Sequence, residues 1–249
     1  MAIVTRAVRH SRGGELYEGY ACWDDGTAEP RPLVLVAATF MGRTGFEEAK
    51  ARSLAELGYV AVAIDLYGVD HWPANADQAR ARMDALDANR DELKARLLAA
   101  LDAARSAPAP LDPARVAAIG FCFGGKCVLD LARSGADIAG VVSFHGVYDA
   151  PPISAAAISA KLLVLHGWDD PLGPPEAVLA LSRELSAAGA DWQIHSYGHT
   201  VHAFTNPARE GMYSPIADRR SWRAMRNFLE EVFEPARPRF PGFVSASAG

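Results

Sequence analysis

The segment Gly-Phe-Cys-Phe-Gly at positions 120–124 places a cysteine at the centre of a glycine-flanked turn. A short apolar run, 116–119, precedes it, and a stretch compatible with a helix, 126–133, follows it. A strand, a tight turn and a helix are the context in which a G-x-nucleophile-x-G elbow holds its nucleophile. Because the backbones crowd at such a turn, only glycine fits two residues to either side of the nucleophile. The segment therefore predicts that Cys122 sits between the end of a strand and the start of a helix.

Apolar runs with the length of buried strands alternate with helical patterns along most of the chain. The predicted strands are 33–38, 59–64, 116–119, 140–144, 162–165 and 192–196. The predicted helices are 46–57, 76–105, 126–133, 174–188 and 217–233, and 107–113 reads as a surface loop. This alternation predicts one α/β domain over residues 1–249, with a mostly parallel sheet, helices on both faces and a loosely held tail from about residue 236.

Composition excludes several functional classes. Half of the 249 residues are apolar and the formal net charge is −5, so the chain lacks the basic surface typical of a nucleic-acid-binding protein. Three cysteines, Cys22, Cys122 and Cys127, are too few and too irregularly spaced for a disulfide framework or a zinc site. No run approaches the ~18 apolar residues of a membrane span, and the N-terminus has no signal-peptide pattern. We expect a cytoplasmic monomer or homodimer that needs no cofactor or metal and binds neither nucleic acid nor membrane.

Two pairs of polar residues directly follow predicted strands. In parallel sheets, binding and catalytic sites lie beyond the carboxyl ends of the strands. Asp169 and Asp170 follow the fifth strand; either carboxylate can orient a catalytic imidazole, and Asp-Asp-Pro is also good turn chemistry. His199 and His202 follow the last strand. Nucleophile, acid and histidine in that chain order are typical of α/β-hydrolases. The residues therefore predict a triad of Cys122, one aspartate and one histidine, and position alone does not choose between the members of each pair.

Four other residues of the same types have a structural interpretation. His145 and His166 also come just after predicted strands, where they can line a site, but a packing role or a supporting role is favoured for both. Cys22 and Cys127 are predicted to be inert. Cys127 lies on the helix after the elbow, where its side chain is expected to point into the packing.

The chain resembles the dienelactone hydrolases (the carboxymethylenebutenolidase family), a cysteine branch of the α/β-hydrolase fold. The resemblance covers roughly Tyr20 to Phe233. It rests on six segments: LAELGYV at 54–60, DLYG at 65–68, GFCFGG at 120–125, SFHG at 143–146, HGWDDP at 166–171 and HAF at 202–204. The elbow with cysteine is fairly specific, and the other segments are weak singly but strong together.

The resemblance implies a role for each member of the triad. The family's G-x-x-D pattern, counted from Gly167, makes Asp170 the acid, and its H-x-F pattern makes His202 the base. Cys122 would then attack an ester or lactone carbonyl while His202 shuttles the proton. Asp170 would hold the imidazole in the required tautomer.

Further residues complete the expected site. The resemblance implies that the oxyanion meets the backbone N–H of Phe123 and another from the loop after the first predicted strand, near Phe40. Side chains between Asp65 and Asn75, Tyr67 and Trp72 among them, are expected to shape substrate specificity.

Two positions depart from the family pattern. The family commonly has a glutamate where this chain has Thr39, so we expect no carboxylate to activate the thiol from that place; Glu47 or Glu48 would substitute if the register is shifted. Dienelactone-cleaving members have an arginine where this chain has Asn206, and Arg209 comes three residues later. A guanidinium binds a carboxylate through two charge-assisted hydrogen bonds, and the amide of asparagine cannot do so. This departure therefore argues against a dienelactone substrate. Thr39 and Arg209 remain expected substrate contacts.

The sequence as a whole predicts hydrolysis of a small ester or lactone through a cysteine acyl-enzyme, with His202 alone taking the thiol proton. Three alternatives stay open. The same triad can transfer its acyl group to an alcohol or amine, the domain can be a non-catalytic ligand-binding module, or Cys122 can act as a redox sensor.

Overall fold

A computed structural model describes residues 2–151 and 158–234. The strands are β1 (Ile3–Arg12), β2 (Glu15–Asp24), β3 (Arg31–Ala37), β4 (Val60–Ala63), β5 (Leu111–Phe121), β6 (Gly140–Phe144), β7 (Lys161–Gly167) and β8 (Trp192–Tyr197). The helices are α1 (Gly45–Glu56), α2 (Ala76–Asp87), α3 (Arg90–Arg105), α4 (Phe123–Arg133), α5 (Pro175–Ala187) and α6 (Pro215–Phe233), with a short 3₁₀ turn at Val69–His71. The tail predicted from about residue 236 lies outside the described residues.

The strands form one sheet in the order β1-β2-β4-β3-β5-β6-β7-β8. Strands β3 to β8 run parallel to one another, whereas β1 and β2 form an antiparallel hairpin that joins the sheet through antiparallel pairing of β2 with β4. The predicted α/β class with a mostly parallel sheet is therefore confirmed. The parallel strands bring their carboxyl ends to one edge, where the residues after β3, β5, β6 and β7 meet.

The hairpin of β1 and β2 was not among the predicted strands. Strand β1 lies at the edge of the sheet, and of its ten residues only Val8 is buried. An edge strand of this kind lacks the continuous apolar run that marks the buried strands.

The predicted helix 76–105 is wrong as one element. It is two helices, because α2 ends at Asp87 and Asn89 starts a new one, its side chain accepting a hydrogen bond from the backbone N–H of Glu92. The apolar stripe continues across the break, so periodicity alone does not reveal it. Asparagine at an N-cap is the local signal for the second start.

The predicted loop 107–113 is also too long. Strand β5 begins at Leu111, which pairs with Arg31 of β3, and the register shifts before Leu33 pairs with Val116. The extra residues of β5 at this irregularity include Pro113. Because proline has no backbone N–H, it cannot donate a hydrogen bond to a neighbouring strand.

Helices cover both faces of the sheet, as the alternation predicts. Apolar residues of α3, α4 and α5 pack in one buried cluster, and those of α1 and α6 pack in the other. Side chains of β3 alternate between the two clusters, as a strand's period of two requires. All eleven residues of α4 are buried, which fixes the start of this helix against the sheet edge. No helix in the described ranges is long and apolar enough to cross a membrane.

Candidate active site

Cys122 occupies the turn between β5 and α4, where the sequence predicts an elbow. Its φ is +56° and its ψ is −116°, a conformation that costs free energy for a residue other than glycine. Its backbone N–H donates to the carbonyl of Phe144 at 3.0 Å and to Nδ1 of His145 at 3.1 Å. The strained turn is thus tied to the end of β6 and to the residue that follows it.

The glycines on either side are required by close backbone contacts. A Cβ atom at Gly120 would lie 2.0 Å from the carbonyl oxygen of Gly124, and one at Gly124 would lie 2.2 Å from that of Ala37. No side chain can be accommodated at these distances. This is the crowding that the glycine pattern predicts.

Position in the sequence did not choose between the two aspartates or between the two histidines. The structure separates the members of each pair. Oδ2 of Asp170 lies 2.7 Å from Nδ1 of His202, and both side chains are buried. Oδ1 of Asp170 accepts the backbone N–H of Leu172 at 2.8 Å, so both carboxylate oxygens are engaged. Asp169 is half exposed and His199 is fully exposed, with 4.0 Å between them. Only Asp170 and His202 are brought together inside the molecule.

The protonation of His202 depends on its two neighbours. Burial alone would lower its pKa, but the hydrogen bond to Asp170 and the interaction with the Cys122 thiol outweigh burial and raise the pKa to about 9. Because Asp170 occupies Nδ1, Nε2 is the ring atom left for the thiol. Nε2 is buried, and the described residues offer it no partner other than Cys122. At neutral pH this environment favours the imidazolium form of His202.

A cavity of about 430 Å³ opens beside Cys122 and His202. Both residues line it, as do His145 and the loop residues Thr39 and Phe40. Four charged side chains also line it: Arg80, Asp87, Lys126 and Arg209. The wall therefore combines a thiol, an imidazole and charged groups around a space of the size that small ligands occupy.

The two residues expected to supply oxyanion N–H groups both lie at the cavity. Phe123 begins α4 directly after Cys122, and Phe40 follows β3; both residues line the cavity. Neither N–H donates to a group in the described part of the chain. A backbone donor at a helix N-terminus and a second one across the cavity are what a developing oxyanion requires.

Glu47 holds the loop that carries Phe40. It is fully buried, and its two oxygens accept the backbone N–H groups of Thr39 at 3.0 Å and of Thr44 at 2.9 Å. The hydroxyl of Thr44 adds a bond of 2.6 Å, and Glu48 pairs with Arg43 at 2.5 Å. Both glutamates are thus engaged elsewhere than at the thiol, and neither lines the cavity.

Glu47→Gln is expected to destabilise the protein. Whichever way the amide is turned, its NH₂ group faces a backbone N–H, so a buried donor is left unsatisfied at a cost of about 1–3 kcal/mol. Glu48→Gln, which removes a partly exposed ion pair, is the matched control and should cost less than about 1 kcal/mol. Urea unfolding of both variants checks the difference; equal losses would show that Glu47 does not anchor this loop.

Two arginines lie near Phe40 at the cavity. The guanidinium carbons of Arg80 and Arg209 each lie 5.8 Å from the centre of its ring, and neither side chain forms an ion pair with a described residue. Arg209 is an expected substrate contact, whereas Arg80 was missed because nothing in the local sequence separates it from Arg82, the other arginine of α2. Asn206 also lines the cavity, and its side chain accepts the backbone N–H of Ala208.

Tyr67 and Trp72 are not among the residues that line this cavity, so their expected contact with substrate stays a prediction. The hydroxyl of Tyr67 donates to the carbonyl of Phe40 at 2.7 Å, and the indole N–H of Trp72 donates to Asp65 at 3.0 Å. Tyr67 therefore supports the Phe40 loop through a backbone contact.

The remaining histidines and thiols differ in their access to the site. His145 lines the cavity and hydrogen-bonds to Cys122, so packing is not its only role. His166 is fully buried and pairs with the Tyr148 hydroxyl at 3.0 Å. Cys22 and Cys127 are fully buried, and burial raises the pKa of both thiols. In the described ranges no three His, Cys, Asp or Glu side chains converge as a metal site.

Comparison with known proteins identifies the family. A model of the dienelactone hydrolase family matches residues 18–233. The crystal structure of a dienelactone hydrolase-like promiscuous phosphotriesterase from metagenomic libraries has a TM-score of 0.87 and 37% identity, covering 94% of this chain and 100% of that one. An uncharacterized Caenorhabditis elegans protein is 37% identical over 153 residues, 57% of this chain and 95% of that protein.

A Bradyrhizobium protein named a probable 2-oxo-3-(5-oxofuran-2-ylidene)propanoate lactonase is 27% identical over 203 residues, 77% of this chain and 80% of that protein. The family model spans most of the chain, and the structural match extends over the whole of the solved relative. The chain therefore belongs to the dienelactone hydrolase family of carboxylic ester and lactone hydrolases, and it has the α/β-hydrolase fold.

Proposed function

We propose that the protein hydrolyses small carboxylic esters or lactones through a thioester formed on Cys122, with His202 and Asp170 completing the triad. The observation that carries the proposal is the buried Asp170–His202 pair beside the Cys122 thiol, at the wall of an open cavity. The interaction with Cys122 and the bond to Asp170 favour a protonated His202. A thiolate paired with an imidazolium is a ready nucleophile for an acyl carbon.

The proposed first half-reaction forms the acyl-enzyme. The sulfur of Cys122 attacks the carbonyl carbon, and the carbonyl electrons move to the oxygen, which the N–H groups of Phe40 and Phe123 stabilise. As the tetrahedral intermediate collapses, the bond to the alkoxy oxygen breaks, and Nε2 of His202 gives that oxygen its proton. An ester releases its alcohol here, whereas a lactone keeps its new hydroxyl attached to the acyl group.

The second half-reaction restores the enzyme. Neutral His202 takes a proton from water as the water oxygen attacks the thioester carbon. The carbon–sulfur bond breaks, and the carboxylic acid leaves with Cys122 again a thiolate and His202 again protonated. Asp170 keeps Nδ1 hydrogen-bonded throughout, so Nε2 is the nitrogen that exchanges protons.

Thiol activation in this scheme needs no additional carboxylate. Thr39 occupies the position where the family commonly has glutamate, and Glu47 uses both oxygens to hold the 39–44 loop. His202 is therefore the group that takes the thiol proton.

The charges of the cavity favour a substrate with an anionic group. The absence of an arginine at position 206 argues against a carboxylated lactone, but Arg80 and Arg209 both reach the cavity without an acidic partner in the described chain. Two free guanidinium groups can bind a carboxylate through charge-assisted hydrogen bonds. A carboxylated lactone is thus restored as a candidate, in agreement with the name of the Bradyrhizobium relative.

Arg80→Ala and Arg209→Ala are expected to raise KM for a carboxylated lactone about 10-fold each, because each removes a charge-assisted bond. KM for a neutral ester such as p-nitrophenyl acetate should stay within about 2-fold, since no anion is bound. Arg82→Ala, an exposed arginine of α2 that does not line the cavity, is the matched control. Equal effects on charged and neutral substrates would exclude anion recognition by the two arginines.

The experiment for the proposed function is a turnover screen of esters and lactones that vary in acyl length and charge. A phosphotriester is included because one relative is described as a promiscuous phosphotriesterase. Added hydroxylamine or an alcohol separates hydrolysis from acyl transfer through the products. No turnover of any substrate, together with a Cys122 thiol inert to iodoacetamide, would instead support a non-catalytic binding module.

A further inference from the structure

We propose that His145 is a positioning residue: its neutral ring, with the proton on Nε2, holds the Cys122 turn and the His202 loop at a fixed separation. This inference rests on the proposed function of Cys122 and His202. It concerns a side chain outside the triad that touches both catalytic segments.

One end of the ring binds the nucleophile's own backbone. Nδ1 of His145 lies 3.1 Å from the amide nitrogen of Cys122. A backbone amide nitrogen can only donate, so Nδ1 must be unprotonated and must act as the acceptor. The same N–H also donates to the Phe144 carbonyl, which makes a three-centre bond at the elbow. The ring therefore helps to hold Cys122 in its strained conformation.

The other end of the ring binds the loop that carries the base. Nε2 of His145 lies 2.8 Å from Oγ1 of Thr205, a fully buried residue three positions after His202. A neutral imidazole with a bare Nδ1 carries its proton on Nε2, so this ring donates to the Thr205 hydroxyl. One rigid ring thus spans the distance between the nucleophile turn and the base loop.

Aromatic packing fixes the ring between these two ends. The ring centres of His145 and His202 are 5.1 Å apart with the planes at 67°, and Phe204 packs on His145 edge-on at the same distance. His145 itself has a φ of +37°, which is uncommon outside glycine. Strain of this kind persists where the surrounding contacts determine the conformation.

The neutral state is supported by the charges around the ring. Burial, then the neighbouring His202 and Lys50, lower the pKa of His145 well below its usual range. Within the described chain, His202 and Lys50 are the charged groups that act on this ring. A second cation at this place would oppose the imidazolium of His202. Two histidines in contact therefore have separate roles, one charged and one neutral.

Two variants at position 145 separate the two ends of the ring. Asparagine places a carbonyl oxygen near the position of Nδ1, so His145→Asn can still accept the Cys122 N–H. Glutamine places an NH₂ group near the position of Nε2, so His145→Gln keeps only the bond to Thr205. Thr205→Val removes that second bond with little change in shape. His195→Gln, an exposed histidine of β8, is the control for the substitution itself.

His145→Gln is expected to lower kcat about 10- to 100-fold with KM within about 2-fold, since a displaced nucleophile affects the chemical step. The high-pH limb of its kcat profile should move to lower pH, because His202 loses part of its interaction with Cys122. His145→Asn and Thr205→Val both keep the bond to Cys122 and lose the bond to Thr205, so both should lower kcat in the same direction as His145→Gln but by less than about 10-fold. A merely structural role would lower the free energy of unfolding without moving the pH profile.

The outcomes distinguish this inference from the proposed function. If wild-type protein turns over esters while His145→Gln and Thr205→Val keep wild-type kcat and pH profile, the inference is overturned and the proposed function stands. If wild-type protein has no esterase activity and its Cys122 does not react with iodoacetamide, the proposed function fails first. A decline in activity that only follows loss of stability in all three variants also overturns the inference.

Discussion

Cys122→Ala is expected to lower kcat for p-nitrophenyl acetate at least about 10³-fold, because it removes the atom that bonds to the acyl carbon. Folding should be retained, since alanine is smaller than cysteine and Cys122 lies at the cavity wall. Steady-state kinetics give the loss, and circular dichroism with urea unfolding shows that the fold survives.

The other cysteines provide the control for this substitution. Cys22→Ala changes a fully buried thiol that does not line the cavity, so its kcat should match that of the wild type. Its free energy of unfolding falls by the ordinary cost of a small core cavity. Cys122→Ala that keeps more than a tenth of wild-type kcat would contradict nucleophilic catalysis by this residue.

Asp170→Asn is the second large expected effect, a loss of about 10³-fold or more in kcat, because the amide no longer stabilises the imidazolium and can hold the wrong tautomer. Removing the carboxylate also removes the hydrogen bond and the charge that raise the pKa of His202. The pKa of His202 should therefore fall below about 9 in this variant. Nitrogen-15 NMR of the histidine rings across pH 5 to 10 measures it in both proteins.

The neighbouring aspartate supplies the control. Asp169→Asn alters a half-exposed carboxylate one residue away, and its kcat and His202 titration should match those of the wild type. Equal losses in the two variants would indicate that the turn after β7, and not the bond to His202, is what activity needs.

The same pKa predicts how stability varies with pH. The folded protein holds the His202 proton to about pH 9, whereas the unfolded chain releases it near its ordinary pKa of about 6.5. The stabilisation from the imidazolium is therefore fully present below about pH 6.5 and is lost as the pH rises through about 9. Asp170→Asn should lose much of this dependence, which urea unfolding at several pH values can check.

Local sequence was sufficient to predict a feature where all the residues that determine it lie in one segment. The elbow at Cys122 depends on glycines within two residues of the nucleophile, and the close contacts of Gly120 and Gly124 account for them. The buried strands of the parallel sheet were likewise visible as continuous apolar runs. The choice of Asp170 and His202 needed the family pattern, because their neighbours have the same chemistry at nearly the same place.

The features that were missed depend on contacts between distant segments. Arg80 reaches the Phe40 ring from α2, and Glu47 reaches back to Thr39 from α1. His145 joins Cys122 to Thr205, which lies sixty residues after His145 in the chain. Such contacts leave no periodic or spaced pattern within a single segment, so they could not be predicted from the sequence. The hairpin of β1 and β2 was missed for another reason. Strand β1 lies at the sheet edge, and polar residues interrupt the apolar residues of β2, so neither shows a continuous apolar run.

The most direct measurement is the location of the acyl group during turnover. Wild-type protein is mixed with p-nitrophenyl acetate, quenched in acid while p-nitrophenol is still being released, and mapped by peptide mass spectrometry. The proposed mechanism predicts an acetyl group on the peptide that contains Cys122, removable by hydroxylamine and absent from Cys122→Ala. Continued turnover with Cys122 unmodified, or with the acetyl group confined to another residue, would contradict it.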